Sequence, residues 1–384
     1  MTLRVALLAH STNPRGGVVH ALALADALTD AGIEAVVHAP DPSGQGFFRP
    51  TRCATVSVPA SPVGRDVADM VETRAADYVR WFEDPAHRRF DVFHAGDGIS
   101  ANALATLKDR GLIAGFVRTV HHVDAFADPR LAALQTRALV TPDRHLVVSR
   151  LWQRILAAEH GIAADRVGNG VDMHRYRSSP DPHDRLVRAR HGLAGPGPLL
   201  LAVGGVEARK NTRRILDAFV LVRAAHPTAR LVIAGGASLL DHDAYQAAFA
   251  AALAASGLPE GAVLRLGPVP DADMPSLYRI ADALVFPSVK EGFGLVVLEA
   301  MASACPVVLS RIAPFTEYCG EADVAWCDPE DPASIAGAVG LALDGYRAAG
   351  LAARGLRIAA DHDWAAVARA HLPAYAALTE AVHA

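Results

Sequence analysis

Cysteine is scarce in this sequence, and long apolar segments are lacking. The four cysteines show no CxxC spacing, so the sequence indicates neither a zinc site nor a redox pair, and free thiols in a reducing cytosol are the simpler interpretation. No uninterrupted apolar run is long enough to span a bilayer. The apolar start, residues 3–9, leads into His10 and a Pro-Gly loop, which is typical of a buried first strand and not of a cleavable signal peptide. We therefore expect a cytoplasmic protein without a transmembrane segment.

Lysine is scarce as well, and the small excess of negative charge argues against one class of ligand, the nucleic acids. The formal net charge of −4 argues against a nucleic-acid-binding protein. Arginine supplies nearly all the positive charge, and the only lysines are Lys108, Lys210 and Lys290. Lys210 and Lys290 fall in glycine-containing loops, where the compact ammonium group of a lysine suits contact with an anion.

The length and the pattern of apolar residues predict two domains. A chain of 384 residues exceeds a single typical core. In both halves, apolar runs of strand length alternate with segments of helical periodicity, which predicts parallel, doubly wound α/β sheets. A stretch rich in proline, glycine and charge predicts a linker over residues 181–197, between domains at 1–180 and 198–365. An amphipathic helix is expected at about residues 366–384.

The most informative motif lies between residues 284 and 309. An apolar strand leads into a loop that contains Glu291, and a helix follows that carries Glu299. Ligands bind at the carboxyl edge of parallel sheets, and bare backbone N–H groups before a helix N-terminus favour a phosphate. A diphosphate with hydroxyl-bearing sugars on both ends satisfies both features. The residues predicted to lie next to it in this segment are Gly292, Phe293, Gly294 and Leu295.

Glu291 and Glu299, with seven residues between them, resemble the E-x7-E signature of retaining glycosyltransferases of the GT4 family, also called group 1. The PVV and PFTE segments that follow, and the glycine loop and helix that begin at Gly16 and Gly17, are also similar to this family. The resemblance covers nearly the whole chain. It implies the GT-B fold, in which two Rossmann-like doubly wound parallel-sheet domains face each other across a cleft and the C-terminal helix returns to the first domain.

The resemblance also implies roles for individual residues. Glu299 would bind the nucleotide ribose, Glu291 would hold hydroxyl groups of the transferred sugar, and Lys210 would contact the donor diphosphate. His121, at the end of a predicted strand, matches a family histidine beside that sugar, with a buried core histidine as the alternative. The predicted catalytic residues are therefore Glu291, His121 and Lys210. The predicted donor-binding residues are Gly16, Gly17, Arg209, Gly292, Phe293, Gly294, Leu295 and Glu299.

One residue of the family pattern is missing. The family carries an arginine ahead of the lysine in the loop that holds the diphosphate, and Gly205 stands at that position here. Arg209, the neighbour of Lys210, is the candidate replacement. The missing arginine leaves open whether the site works at full rate.

Three Asp-x-Asp triplets, at residues 241–243, 271–273 and 361–363, raise the question of a metal-bound nucleotide sugar. Each is interpreted as the start of a helix, where acidic residues cap the N-terminus. We therefore expect no metal site and no cofactor beyond the nucleotide sugar that serves as donor substrate.

The expected function is retaining, metal-independent sugar transfer by a hexosyltransferase, from a nucleotide diphosphate sugar to an unidentified small-molecule, glycan or lipid acceptor. Peripheral contact with a membrane stays open, and no nucleic acid partner is expected. Two alternatives also stay open. One is a non-catalytic nucleotide-sugar-binding protein of the same fold, which Gly205 favours; the other is an enzyme that hydrolyses or epimerises the nucleotide sugar.

Overall fold

A computed structural model describes residues 2–236 and 243–383 of the chain. The chain divides into two compact units. Unit 1 comprises Met1–Asn169 together with Trp364–Ala384, and unit 2 comprises Gly170–Asp363. The segment predicted as a linker, residues 181–197, lies within unit 2, where Asp184 pairs with Arg279 at 2.6 Å.

Strands and helices are numbered here along the whole chain. The strands are β1 (Arg4–Leu8), β2 (Glu34–Asp41), β3 (Ala54–Pro59), β4 (Val92–Ala95), β5 (Val117–Val120), β6 (Arg144–Val147), β7 (Asp165–Arg166), β8 (Leu199–Val203), β9 (Arg230–Ala234), β10 (Val263–Gly267), β11 (Ala283–Phe286), β12 (Val307–Ser310) and β13 (Ala325–Cys327). The helices are α1 (Gly16–Asp30), α2 (Val67–Glu83), α3 (Gly98–Asp109), α4 (Pro129–Val140), α5 (Arg150–His160), α6 (His183–Arg190), α7 (Thr212–Ala225), α8 (Asp243–Ala255), α9 (Met274–Ile280), α10 (Leu295–Ala302), α11 (Pro332–Leu343), α12 (Gly345–Ala360) and α13 (Trp364–His383).

Each unit contains one parallel sheet, as the alternation of strand and helix predicts. Over the described residues, unit 1 has the strand order β3-β2-β1-β4-β5-β6-β7, and unit 2 has the order β10-β9-β8-β11-β12-β13. The order reverses between β1 and β4 in the first sheet and between β8 and β11 in the second. In doubly wound sheets, ligands bind at the carboxyl ends of the strands at such a reversal.

The core of unit 1 lies between the sheet and the helices on its two faces. Fully buried Leu8, Tyr78 and Phe116 belong to this core. The C-terminal helix α13 packs in the same unit, where the Tyr375 hydroxyl group is 2.8 Å from Nδ1 of buried His94. Helix α13 therefore packs in unit 1 with the first sheet, although it is distant from that sheet in sequence.

The core of unit 2 is built from apolar strands that are buried on both faces. All four residues of β11 are buried, which explains its unbroken apolar sequence. Phe219 of α7 and Val339 of α11 pack against this sheet in one apolar cluster with Val285. Burial of this kind stabilises the fold by roughly 25 cal/mol for each Å² of apolar surface removed from water. The cluster also fixes where β8 and β11 end, and therefore where their loops begin.

The three Asp-x-Asp triplets lie at helix starts, as the sequence predicts, since α8 begins at Asp243, α9 at Met274 and α13 at Trp364. Not every polar residue before a helix caps it, however. Asn211 precedes α7 but makes no side-chain cap; its amide group instead donates to the backbone oxygens of Pro287 (3.0 Å) and Pro329 (2.7 Å). Asp273 precedes α9, yet its buried carboxylate binds side chains of the 183–191 segment instead of the helix backbone. Asp361 ends α12, and Asp363 directly precedes α13. Asp241 lies outside the described residues.

Candidate functional site

The loops that follow β8 and β11 carry the charged residues of the candidate site. These two strands are hydrogen-bonded neighbours at the point where the strand order of the second sheet reverses. Residues 204–211 follow β8, and residues 287–294 follow β11. The sequence places glycines in both loops and a lysine or glutamate next to them. The fold of unit 2 therefore brings these groups together at one edge of the sheet.

Two cations converge on one carboxylate oxygen. The Lys210 Nζ atom is 2.7 Å from Oε1 of Glu291, and the Arg209 Nη1 atom is 2.8 Å from the same oxygen. The side chain of Glu291 is 8% exposed, that of Lys210 is 13% exposed and that of Arg209 is 36% exposed. Nη2 of Arg209 also lies 3.9 Å from buried Glu207. Three of the predicted site residues thus form one charged cluster.

The electrostatics of the cluster follow from its burial. Burial opposes ionisation of Glu291, but the charges of Lys210 and Arg209 outweigh it and hold the pKa of that carboxyl group below its ordinary value. Burial lowers the pKa of Lys210, while Glu291 counteracts the shift. The Lys210 ammonium group also lies 4.4 Å from the centre of the Phe286 ring. The carboxylate therefore holds both cations close together.

Two glycines lie in the loop that carries Lys210, and one of them leaves room for the side chain of that lysine. Gly204 has a φ of +120°, which favours glycine, and a Cβ atom on it would lie 2.6 Å from Cε of Lys210, so the bare backbone leaves room for the lysine side chain. Gly205 has a φ of +77°, and a Cβ atom on it would lie 2.8 Å from the backbone oxygen of Gly236. A side chain at position 205 is therefore excluded by both dihedral angle and contact. In this loop conformation glycine is favoured at position 205, and the second cation of the cluster comes from Arg209.

Glu299 lies on α10 and is oriented by a tyrosine. The Tyr278 hydroxyl group donates to Oε2 of Glu299 at 2.7 Å. Both side chains are buried, and the ring of Tyr176 packs edge-on against Tyr278 at 5.9 Å. Burial and the Glu299 charge raise the pKa of Tyr278 well above its ordinary value, so the phenol stays protonated and donates. Glu299 is thereby fixed in place.

The turn into α10 is shaped by aromatic rings. Gly294, at the N-cap of α10, has a φ of +98°, and a Cβ atom there would lie 2.7 Å from the ring of Phe315. Phe293 stacks on Tyr318 with ring centroids 5.0 Å apart and an interplanar angle of 11°. Gly292 precedes this pair, and Leu295 begins the helix. The stacked rings hold the backbone N–H groups of the turn before the helix N-terminus, where a helix favours an anion.

The other predicted site residues belong to unit 1. Gly16 and Gly17 are the first two residues of α1, after β1. His121 follows β5, and its ring packs edge-on against buried His20 at 4.7 Å. Nε2 of His121 has no hydrogen-bond partner among the described residues. Burial, followed by the neighbouring histidines, lowers the pKa of His121 well below its ordinary value, so the ring is neutral at pH 7.

Sequence reasoning missed Tyr278, Tyr318 and Asn211. Tyr278 lies in a short helix of mostly buried residues, and nothing in its neighbourhood distinguishes it from a core aromatic residue. Asn211 has a φ of +60°, which asparagine tolerates better than most residues, so the asparagine in this glycine-containing loop is the one sequence signal of its role. Within residues 2–236 and 243–383, no three His, Cys, Asp or Glu side chains are grouped so that they could hold a metal ion.

Two family models match this chain, one in each half. The model described as Glycosyltransferase Family 4 matches residues 14–175, and the model described as Glycosyl transferases group 1 matches residues 184–353.

Curated relatives match as well. The O-antigen chain mannosyltransferase B of Escherichia coli is 36% identical over 184 residues, which are 46% of this chain and 45% of that protein. The chain therefore spans about half the length of this relative. The D-inositol 3-phosphate glycosyltransferase of Frankia alni is 31% identical over 317 residues, 74% of each chain.

Solved structures share the fold over nearly their whole length. The sucrose-phosphate synthase of Thermosynechococcus elongatus superposes with a TM-score of 0.81 at 19% identity, covering 99% of this chain and 100% of that one. Anabaena HepE in complex with UDP-glucose superposes with a TM-score of 0.78 at 19% identity, covering 98% and 100%. The chain therefore has the GT-B fold and belongs to glycosyltransferase family 4, the group 1 glycosyltransferases.

Proposed function

We propose that this protein transfers a sugar from a nucleotide diphosphate sugar to an acceptor with retention of anomeric configuration. The observation that carries the proposal is the convergence of Lys210 and Arg209 on Glu291, beside the N-terminus of α10. Cations and bare N–H groups bind a diphosphate, and a carboxylate binds the hydroxyl groups of a sugar, so this pair of loops suits a diphosphate sugar. The transferase relatives in the same family support the reaction class.

Each group in unit 2 takes a role from its position. Glu299, held by Tyr278, accepts hydrogen bonds from the ribose hydroxyl groups. Lys210, Arg209 and the N–H groups of residues 292–295 bind the diphosphate. Glu291 binds hydroxyl groups of the sugar. The roles expected of His121, Gly16 and Gly17 stay predictions.

The chemistry needs charge stabilisation above all. The bond between the sugar C1 and the phosphate oxygen breaks, and its electron pair stays on the phosphate. The acceptor oxygen bonds to C1 on the same face, and its proton passes to the phosphate oxygen that leaves. Lys210 and Arg209 stabilise the negative charge that builds on the leaving diphosphate, a contribution worth several kcal/mol in a water-poor site. Since these cations and the α10 N-terminus already face the phosphates, no divalent metal is required.

Arg209 weakens the non-catalytic alternative. That alternative rests on the arginine missing at position 205. The guanidinium group of Arg209 lies in the same charged cluster as Lys210, so the loop still presents two cations. A hydrolase that uses water as the acceptor keeps the same donor site and differs only in what attacks C1.

Release of nucleoside diphosphate from nucleotide sugars tests the proposal. We expect release that depends on an added acceptor and persists in EDTA, with the glycosylated product keeping the donor's anomeric configuration. Release without any acceptor would favour the hydrolase. Binding of the nucleotide sugar with no release in a broad acceptor panel would favour the non-catalytic protein. Loss of all release in EDTA, restored by Mg²⁺ or Mn²⁺, would contradict metal independence.

A further inference from the structure

We infer that Glu291 is a built-in competitor of the product, which occupies the two cations whenever the donor sugar is absent and so promotes release of the nucleoside diphosphate. This inference rests on the proposed function of the same site. It gives the glutamate a second task, in addition to contact with the sugar.

One carboxylate oxygen of Glu291 holds both cations of the site. Both Lys210 and Arg209 bind Oε1 of Glu291, at 2.7 and 2.8 Å, in a loop pair that is mostly shielded from water. A phosphate that binds the same cations must displace this carboxylate or share them with it. In shielded surroundings, a carboxylate separated from its cations carries a large desolvation penalty unless other donors replace them.

Only the nucleotide sugar supplies hydroxyl groups that can replace the two cations as hydrogen-bond donors to Glu291. A nucleotide sugar brings hydroxyl groups that can bond Glu291 once it leaves the cations. A nucleoside diphosphate lacks this sugar, its ribose hydroxyl groups are the ones proposed to bind Glu299, and its terminal phosphate repels the carboxylate. The cost of displacing Glu291 is therefore offset for the substrate and not for the product. Both cations also have other neighbours, since Glu207 lies 3.9 Å from Arg209 and the Lys210 ammonium group lies 4.4 Å from the centre of the Phe286 ring.

The negative charge of Glu291 supports its role as a competitor of the diphosphate. Both cations hold the pKa of Glu291 below its ordinary value, so the competitor is ionised throughout the neutral range. A neutral side chain of the same shape would keep a hydrogen bond to a sugar hydroxyl group but would release both cations. Glu291→Gln separates the two tasks for this reason.

Isothermal titration of wild type and Glu291→Gln with UDP, GDP and ADP, and with their glucose conjugates, tests the inference. For the nucleotide that binds, we expect Glu291→Gln to bind the nucleoside diphosphate about tenfold more tightly, a gain of about 1.4 kcal/mol. Affinity for the matching nucleotide sugar should change little. Product inhibition should rise in parallel. Glu260→Gln, an exposed residue between α8 and β10, is the matched control and should leave both affinities unchanged.

Glu291→Asp provides a second variant if the glutamine variant does not fold. It keeps the charge but withdraws it by one methylene group, and it should tighten diphosphate binding in the same direction to a smaller extent. If wild type binds a nucleoside diphosphate and neither variant binds it more tightly, the inference is overturned while the proposed donor site stands. If no protein in the series binds any nucleotide, both are overturned.

Discussion

At the scale of single residues, Tyr278 is a position that the sequence did not single out and whose role can be measured. Tyr278→Phe keeps the buried ring and removes only the hydroxyl group that bonds Glu299 at 2.7 Å. A hydrogen bond to a charged group contributes about 1.5–3 kcal/mol, so loss of this restraint should weaken nucleoside diphosphate binding by about tenfold. Titration calorimetry gives the affinity directly.

The matched control for Tyr278→Phe is Tyr346→Phe, since the side chain of Tyr346 is 91% exposed. It removes the same hydroxyl group and should leave the affinity unchanged. Equal affinities for wild type and Tyr278→Phe would mean that Glu299 keeps its position without the tyrosine.

Residues with chemistry of their own could be predicted from the sequence, and residues that act through others could not. Lys210, Glu291 and Glu299 stood out because charged residues in a glycine loop, or at fixed spacing after a strand, have few structural explanations. Tyr278 acts on Glu299 across 21 residues of sequence, and no local pattern encodes that partnership.

At the scale of elements, the loop after β8 depends on the backbone of Gly205. Gly205→Ala adds a Cβ atom 2.8 Å from the Gly236 backbone oxygen at a φ of +77°. We expect it to lower the free energy of unfolding by about 2 kcal/mol. Urea unfolding measures this change. Gly205→Arg, which restores the family residue in name, should be at least as destabilising and should not rescue Arg209→Ala.

Gly337→Ala is the control for this element. Gly337 lies inside α11 with open space around its Cα, so alanine there should stabilise the protein by about 0.5–1 kcal/mol. A Gly205→Ala variant that is as stable as Gly337→Ala would show that the loop adopts another conformation and that Lys210 does not depend on it.

At the scale of elements, buried apolar strands could be predicted from the sequence, and the partners of the polar residues before helices could not. The apolar run at residues 283–286 is buried on both faces, and burial imposes the pattern that the sequence displays. A cap depends on which partner a polar side chain chooses. The Asp273 carboxylate lies 2.7 Å from Arg190, which is 83 residues away, and the local sequence gave no sign of that partner.

Among the helices that the structure describes, none combines the length and the apolar character that a membrane span needs.

At the scale of the whole molecule, the buried histidines make unit 1 sensitive to acid. Burial lowers the pKa of His20 to about 4 and that of His371 to about 3, from an ordinary value of 6.5, and it also lowers the pKa of His94 well below 6.5. The unfolded chain binds protons below pH 6.5 and the folded chain does not. Stability is therefore complete above pH 6.5 and falls as the pH decreases toward 4, by about 1.4 kcal/mol per pH unit for each such histidine.

Tryptophan fluorescence during urea unfolding at pH 7.5 and pH 5.0 measures this effect, because Trp81, Trp152 and Trp364 belong to unit 1 and only Trp326 to unit 2. His371→Gln should reduce the loss of stability between the two pH values by about 2 kcal/mol. His160→Gln, at an exposed position of the same unit, should leave the loss as in wild type. A loss that is the same in all three proteins would place the acid sensitivity elsewhere.

The fold class followed from the sequence because it depends on many residues at once. Each of the two sheets is specified by several apolar strands, and no single error changes the class. The division of the chain is less evident from composition, since the polar segment at 181–197 suggests a linker while its charged groups pack into unit 2, as Asp184 does on Arg279.

The central claim is that Lys210 and Arg209 hold the diphosphate of a nucleotide sugar. The most direct measurement is the affinity for UDP, GDP and ADP, in EDTA, of wild type, Lys210→Ala, Arg209→Ala and the control Lys108→Ala, whose lysine pairs with Asp143 in unit 1. The account predicts that wild type and Lys108→Ala bind one of these nucleotides equally well. Lys210→Ala should bind it about one to two decades more weakly, and Arg209→Ala should also lose affinity, though less because its side chain is more exposed. Unchanged affinity in both Lys210→Ala and Arg209→Ala would contradict the placement of the donor in this loop.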